Sequence, residues 1–142
     1  MKAAQVVALA RELLGTPYGH QGRVAGVAVD CAGVPVHIAN RLGMDIRSVA
    51  RYGRQPVPNE MRAELDTYLV RSSREALQIG DVVWIRFQTE PQHLGVIGDY
   101  PGGLSLIHAY NGAGIKKVVE HRLDATWRRR IVAVWRFPAV EL

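Results

Sequence analysis

His93-Leu94-Gly95-Val96-Ile97-Gly98, then Asp99-Tyr100-Pro101-Gly102-Gly103, then Leu104-Ser105-Leu106-Ile107-His108 reads as two strands joined by a tight reversal. The strand segments are rich in aliphatic and β-branched residues. Tyr100-Pro101-Gly102-Gly103 between them supplies the Pro at the second position and the Gly at the third that a type II turn requires. Partner numbers in an antiparallel pair sum to a constant. Pairing Tyr100 with Gly103 makes that constant 203, setting His93 opposite Tyr110 with His108 diagonally adjacent. A turn one residue earlier makes it 201 and sets His93 opposite His108. Any even loop puts both imidazoles on one face, with Cβ atoms roughly 4.5 to 8 Å apart. A bulge or an odd loop would part them.

The β-rich pattern extends on both sides of this hairpin, with further runs at Val82 to Phe87, Ile115 to Glu120 and Ile131 to Phe137. Upstream the apolar period is helical. Val6, Leu9, Ala10, Leu13 and Leu14 share one face of a helix over Lys2 to Leu14, which stops at Gly15-Thr16-Pro17. The glycines at 19, 22 and 26 mark Tyr18 to Val29 as an ordered loop lying close to other backbone. A second helix is expected from Cys31 to about Leu42, with Val34, Ile38 and Leu42 on one face and a local distortion at Pro35. Pro56 and Pro58 introduce a third, about Asn59 to Val70, with Met61, Leu65, Tyr68 and Leu69 inward. Helices followed by strands argue for an α+β domain, its N-terminal helices packed on one side of a five- or six-stranded antiparallel sheet.

With 142 residues, 48% of them hydrophobic, and no linker or internal repeat, the chain fits one domain over residues 1–142. Its formal charge of +5 suits an anionic partner such as nucleic acid, a membrane surface or the bacterial wall, without choosing among them. Gln5 and the Arg11-Glu12 pair break up the apolar start, so the N-terminus reads as a mature helix and not a signal peptide. No run is long enough to span a bilayer. Any extracellular role would need another export route, such as cell lysis or packaging in a particle.

Cys31 is the one cysteine, so it cannot form an internal disulfide, and its place must reflect packing or reactivity. In Val29-Asp30-Cys31-Ala32-Gly33, Asp30 is a good N-cap, which would set the sulfur in the first helical turn, where free N–H groups favour thiolate. A buried small hydrophobe is the plainer alternative. Together with the paired histidines, Cys31 supplies the parts of a thiol hydrolase: Cys31 as nucleophile, His93 as base, His108 holding the His93 ring, and the Tyr18 hydroxyl with the Cys31 N–H as oxyanion donors.

Gly15-Thr16-Pro17-Tyr18, Asp30-Cys31-Ala32-Gly33, His93-Leu94-Gly95-Val96 and Ile107-His108-Ala109-Tyr110, in that order, resemble the successive motifs of the NlpC family of papain-like bacterial cell-wall peptidases. The segment Val118 to Leu123 and Trp135-Arg136-Phe137-Pro138 resemble its short branch associated with phage tails. The resemblance implies a papain-like NlpC-type fold and metal-free, cofactor-free hydrolysis of peptidoglycan stem peptides, typically between D-γ-glutamate and a diamino acid. It implies a Cys31–His93–His108 triad and a thioester intermediate, with Tyr18 helping to hold the oxyanion and Asp30 contacting a free amine of the substrate. Ala32 stands where many members have serine, which removes a substrate hydrogen bond. Arg23, in the Gly-rich loop, is a candidate for a stem-peptide carboxylate. Phage tail proteins are the further partners implied.

Other readings stand beside this one. The same Cys–His pair serves an amidase or acyltransferase, and a non-catalytic tail or wall-binding module would keep the fold. His20 and His37 read as structural or surface residues; His121 could reach a cleft, though a position near a strand end is the commoner explanation. The wide spacings of Cys31, His93, His108 and His121 give no short chelating pair for a metal. Trp127-Arg128-Arg129-Arg130 reads as a solvated charged loop, since no series of stacking aromatics accompanies it to make a specific nucleic-acid site.

Overall fold

The computed structural model of the protein describes residues 1–44, 58–87 and 91–142. Helix α1 (Ala3–Arg11) is followed by a two-stranded ribbon, β1 (Arg23–Val24) and β2 (Ala28–Val29), and then by α2 (Gly33–Arg41) and α3 (Pro58–Tyr68). Then come β3 (Val70–Ser72), β4 (Val82–Arg86), β5 (Pro91–Tyr100), β6 (Gly103–Gly112), β7 (Ile115–Arg122), the short helix α4 (Ala125–Arg129) and β8 (Ile131–Arg136). The last six strands form one antiparallel sheet in the order β3-β8-β4-β5-β6-β7, so the fold is α+β as the patterning implies.

The β5–β6 turn follows the first of the two registers. Tyr100 pairs with Gly103 and Val96 with Ile107, and Gly102 takes the positive φ of 79° that a type II turn asks of its third residue. Every β5–β6 pair therefore obeys the constant 203. The next hairpin turns through Ala113 and Gly114, both at positive φ, the backbone of a type I′ turn, and it aligns His108 with Val119 and Leu106 with His121.

Alternation along the strands divides the core in two. Val82, Trp84, Leu94, Val96, Ile107, Ala109, Ala133 and Trp135 pack with the helices, while Val83, Ile85, Ile97, Leu106, Ile131 and Val134 form a second cluster with Leu123. Helix α1 buries Ala3, Val6, Val7 and Ala10, with Leu13 just past its end. Leu14, expected on that stripe, is 43% exposed, because the helix ends at Arg11 and the following turn redirects the chain. Arg11 joins α1 to the sheet through the Glu120 carboxylate at 3.0 and 2.8 Å.

Several expected boundaries move. The second helix starts at Gly33 and not at Cys31, which leaves Pro35 in its first turn, where a missing N–H forfeits no intrahelical bond. The late start answers the need for a distortion at Pro35. The third helix ends at Tyr68, and Val70, expected inside it, opens β3 and is exposed. Met61, Leu65 and Leu69 are buried as expected, with Tyr68 half-buried; Pro56 lies outside the described residues. Trp127-Arg128-Arg129-Arg130 is not a loop: its first three residues belong to α4, whose N-cap Asp124 accepts the Trp127 N–H at 2.9 Å. Among the described residues no helix is long and apolar enough to cross a membrane.

Candidate active site

The glycine-rich segment is folded back so tightly that its glycines are a steric requirement. A Cβ on Gly22 would lie 2.5 Å from the Ala28 carbonyl oxygen and 2.6 Å from its carbon, backbone atoms with no freedom to swing away. This contact closes the β1–β2 ribbon, and Tyr18 and Gly19 are pinned alongside by bonds from their amides to Lys116 and Val29. The ribbon delivers Asp30, then Cys31, to the head of α2.

Asp30 is 1% exposed. Its carboxylate accepts from Arg23 Nη1 at 2.7 Å, the Gln21 amide at 3.0 Å and the Gly33 amide at 2.9 Å. Asp30 thus holds the first amide of α2, whose N-cap is Ala32 and not Asp30 as expected, and carries Arg23 as its ion pair.

Cys31 precedes the helix by two residues, and its thiol is buried. The sulfur accepts from the backbone N–H groups of Leu94 and Ala32, which favours thiolate, as does the nearby Arg23. Burial outweighs them. With the Asp30 charge adding to it, burial pushes the Cys31 thiol up to about 12, opposite to the thiolate stabilisation expected from a position inside the first turn. The resting sulfur is a protonated thiol. The Leu94 amide that it touches belongs to the residue after His93.

Tyr18 is half-buried, and burial, with the Cys31 and Asp30 charges, raises its phenol to about 12, so it remains a hydroxyl donor. Ala32, 2% exposed, lines an apolar cavity of about 40 Å³ with Pro35, Val36, Met61, Leu65 and Phe137.

The hairpin brings the histidines together. His93 Nε2 lies 2.7 Å from His108 Nδ1, both rings being buried. Desolvation holds the His93 imidazole down to about 3 and the His108 imidazole to about 2, the latter also disfavoured by charge on His93 and His121, so both are neutral at neutral pH. The line of rings does not end there. His108 Nε2 lies 2.8 Å from His121 Nε2, and His121 Nδ1 is 2.9 Å from the Arg122 carbonyl oxygen. Aromatic rings enclose the row: Phe87 sits 5.1 Å from His93, and Trp127 lies 5.0 Å from His108 and 5.2 Å from His121 between ring centroids.

Trp127 and Phe87 are site neighbours that sequence reading missed, and His121 is one that it set aside in favour of a strand-end position. The signal for His121 was present, since the even turn at Ala113-Gly114 places it diagonally beside His108 by the rule that pairs His93 with His108. His37 bonds Glu12 at 2.9 Å on the surface between α1 and α2, a structural role. Among the described residues no group of three or more His, Cys, Asp or Glu is placed to hold a metal ion.

The model of the NlpC/P60 family matches residues 15–136 of the chain. No curated protein matches it in sequence. Among solved structures, the NlpC/p60 domain of peptidoglycan hydrolase SagA is similar at a TM-score of 0.66 and 20% identity, over 96% of this chain and 100% of that one. An NlpC/P60 family protein from Bacillus cereus matches at 0.67 and 20% identity, over 96% of this chain and 40% of its own. A Staphylococcus aureus protein described as similar to lipoprotein, NLP/P60 family, matches at 0.62 and 18%, over 95% and 41%. The chain spans about two fifths of the length of the last two, and at these identities the likeness is one of fold.

Proposed function

Because this chain belongs to the NlpC/P60 family of cell-wall cysteine peptidases, we propose that it is an endopeptidase of peptidoglycan stem peptides, cutting the bond between D-γ-glutamate and a diamino acid. The observation that carries this reading is the placement of one buried thiol against the Leu94 and Ala32 amides, next in chain to a His93 whose ring is held by His108. Cys31 is the nucleophile. His93 Nε2 is committed to His108, so its Nδ1 takes the thiol proton as sulfur attacks the peptide carbonyl. His108 is the orienting member of the triad. The carbonyl oxygen becomes an oxyanion held by the Cys31 N–H and the Tyr18 hydroxyl, which burial keeps protonated. The imidazolium then protonates the leaving amine, and water, deprotonated by His93, hydrolyses the thioester. No metal or cofactor takes part.

On the substrate side, Arg23 and Asp30 act as one unit, Arg23 meeting a stem-peptide carboxylate and Asp30 a free amine. Ala32 gives that wall an apolar surface in place of a hydroxyl. Residues 1–142 work as a single catalytic domain, and the tail of a phage or prophage particle is the assembly that we propose would carry it to the wall for local opening.

The test is digestion of purified sacculi by wild type and Cys31→Ala under reducing conditions, with mass spectrometry of released muropeptides. Fragments with new diamino-acid amines from wild type alone support the reading. Fragments showing the amide bond to the glycan cut, or acyl transfer to an added amine, support the amidase or transferase reading instead. Wall binding by both proteins with turnover by neither supports a binding module.

A further inference from the structure

A buried neutral imidazole pair has two possible proton arrangements, and only one leaves His93 Nδ1 as a base. If His93 Nε2 carries the proton, Nδ1 holds a lone pair; if His108 Nδ1 carries it, His93 Nδ1 becomes N–H and cannot accept a proton from a thiol. The 2.7 Å contact between the two rings fits both arrangements. Something beyond His108 must decide.

The decision is made at the far end of the row. The Arg122 carbonyl oxygen can only accept, so the 2.9 Å contact with His121 Nδ1 fixes the proton on that nitrogen. When His121 carries only that proton, its Nε2 holds a lone pair, and the 2.8 Å contact then has His108 donating from its own Nε2. His108 Nδ1 is left as an acceptor, His93 Nε2 as the donor to it, and His93 Nδ1 as the free lone pair. We propose that His121 is a positioning residue that sets the proton polarity of the His121–His108–His93 row from a backbone carbonyl, so that His93 Nδ1 is kept as the base for Cys31.

The surroundings support a fixed polarity. Trp127 packs against both His108 and His121, and Tyr110 lies 5.2 Å from His108, so the inner part of the row is held between aromatic rings, while His121 at its outer end is half-buried. His93 and His108 are buried, and their desolvation holds both neutral, which the two-nitrogen logic needs. When the thiol proton arrives at Nδ1, His93 becomes an imidazolium that still donates from Nε2, and no bond in the row has to reverse.

This inference rests on the peptidase reading only for its kinetic consequence, and the test separates the two. The chain has five histidines, few enough for each ring nitrogen to be assigned by long-range proton–nitrogen NMR on labelled protein. The wild type should show His93 and His108 protonated at Nε2 and bare at Nδ1, and His121 the reverse. In His121→Ala the fixed pattern on His93 and His108 should collapse to a tautomer mixture. Loss of an orienting partner one ring nearer the base costs about 10⁴ in kcat in triad enzymes, so one ring further out the loss should be about tenfold to hundredfold, with KM unchanged. His121→Gln, whose side-chain oxygen can accept from His108 Nε2, should restore most of the rate and the wild-type nitrogen pattern. A wild-type His93 protonated at Nδ1 overturns the proposal. So does a His121→Ala protein that is folded and keeps the wild-type nitrogen pattern. Absence of wall hydrolysis by the wild type would refute the peptidase reading, and the nitrogen pattern would still decide this one.

Discussion

Alkylation of Cys31 measures directly how the fold treats its thiol. Burial and the Asp30 charge raise it from 9.0 to about 12, against the opposing Leu94 and Ala32 amides. Three units lower the thiolate fraction at pH 7.5 about a thousandfold relative to an unperturbed thiol. A more basic thiolate is also a better nucleophile; with a Brønsted slope of about 0.4–0.5, that returns roughly 15- to 30-fold. The net expectation is iodoacetamide alkylation about 30- to 60-fold slower than that of a free thiol, before any steric shielding by the 6% exposure of the residue. The chain has a single cysteine, so intact mass reads the reaction without ambiguity. The rate should keep climbing tenfold per pH unit beyond pH 9, where a free thiol levels off, and denaturation in urea should abolish the difference. Native alkylation as fast as that of glutathione at pH 7.5, or a plateau below pH 9, would refute the assignment of a resting protonated thiol and would point to a preformed thiolate–imidazolium pair.

Two further outcomes follow from the same geometry. His93 and His108 sit at about 3 and 2 in the folded state and near 6.5 unfolded, so between those limits the unfolded chain binds more protons and stability falls as pH falls. At pH 5 each contributes about 2 kcal/mol of that loss; urea titrations at pH 7.5 and pH 5 should show it, and His108→Gln should shrink it by about half. Gly22→Ala puts a Cβ 2.5 Å from the Ala28 carbonyl oxygen, and this overpacking should cost about 1–3 kcal/mol and lower Tm by roughly 3–12 °C; an unchanged melt would mean that the ribbon carrying Asp30 and Cys31 is looser than described.

Much of this architecture could be read from the chain because it depends on rules that act locally. The Pro101-Gly102 turn fixes the β5–β6 register, and register fixes the shared face of His93 and His108. What escaped reading depends on tertiary contacts. β3 is three residues long, too short for a period, and is a strand because β8 offers it an edge. Trp127 looked like part of a charged loop, since its partners, Phe87 and the imidazoles, come from distant strands. The Cys31 thiol was misjudged for a related reason: the N–H groups near a helix start are visible in sequence, whereas the desolvation that overrides them arises from packing against β5. His121 lay within reach of the pairing rule, but as a single residue near a strand end it carried no chemistry until the row of rings was assembled.

The central claim is that the Cys31 sulfur attacks a stem-peptide carbonyl and is itself acylated. Intact-mass spectrometry of acid-quenched mixtures of the protein with a soluble stem peptide, run beside Cys31→Ala, tests it most directly. The account predicts an adduct on wild type equal in mass to the acyl half of the cut peptide, located on Cys31, with no cleavage by Cys31→Ala. Cleavage that persists in Cys31→Ala, with no adduct on wild type, would contradict it.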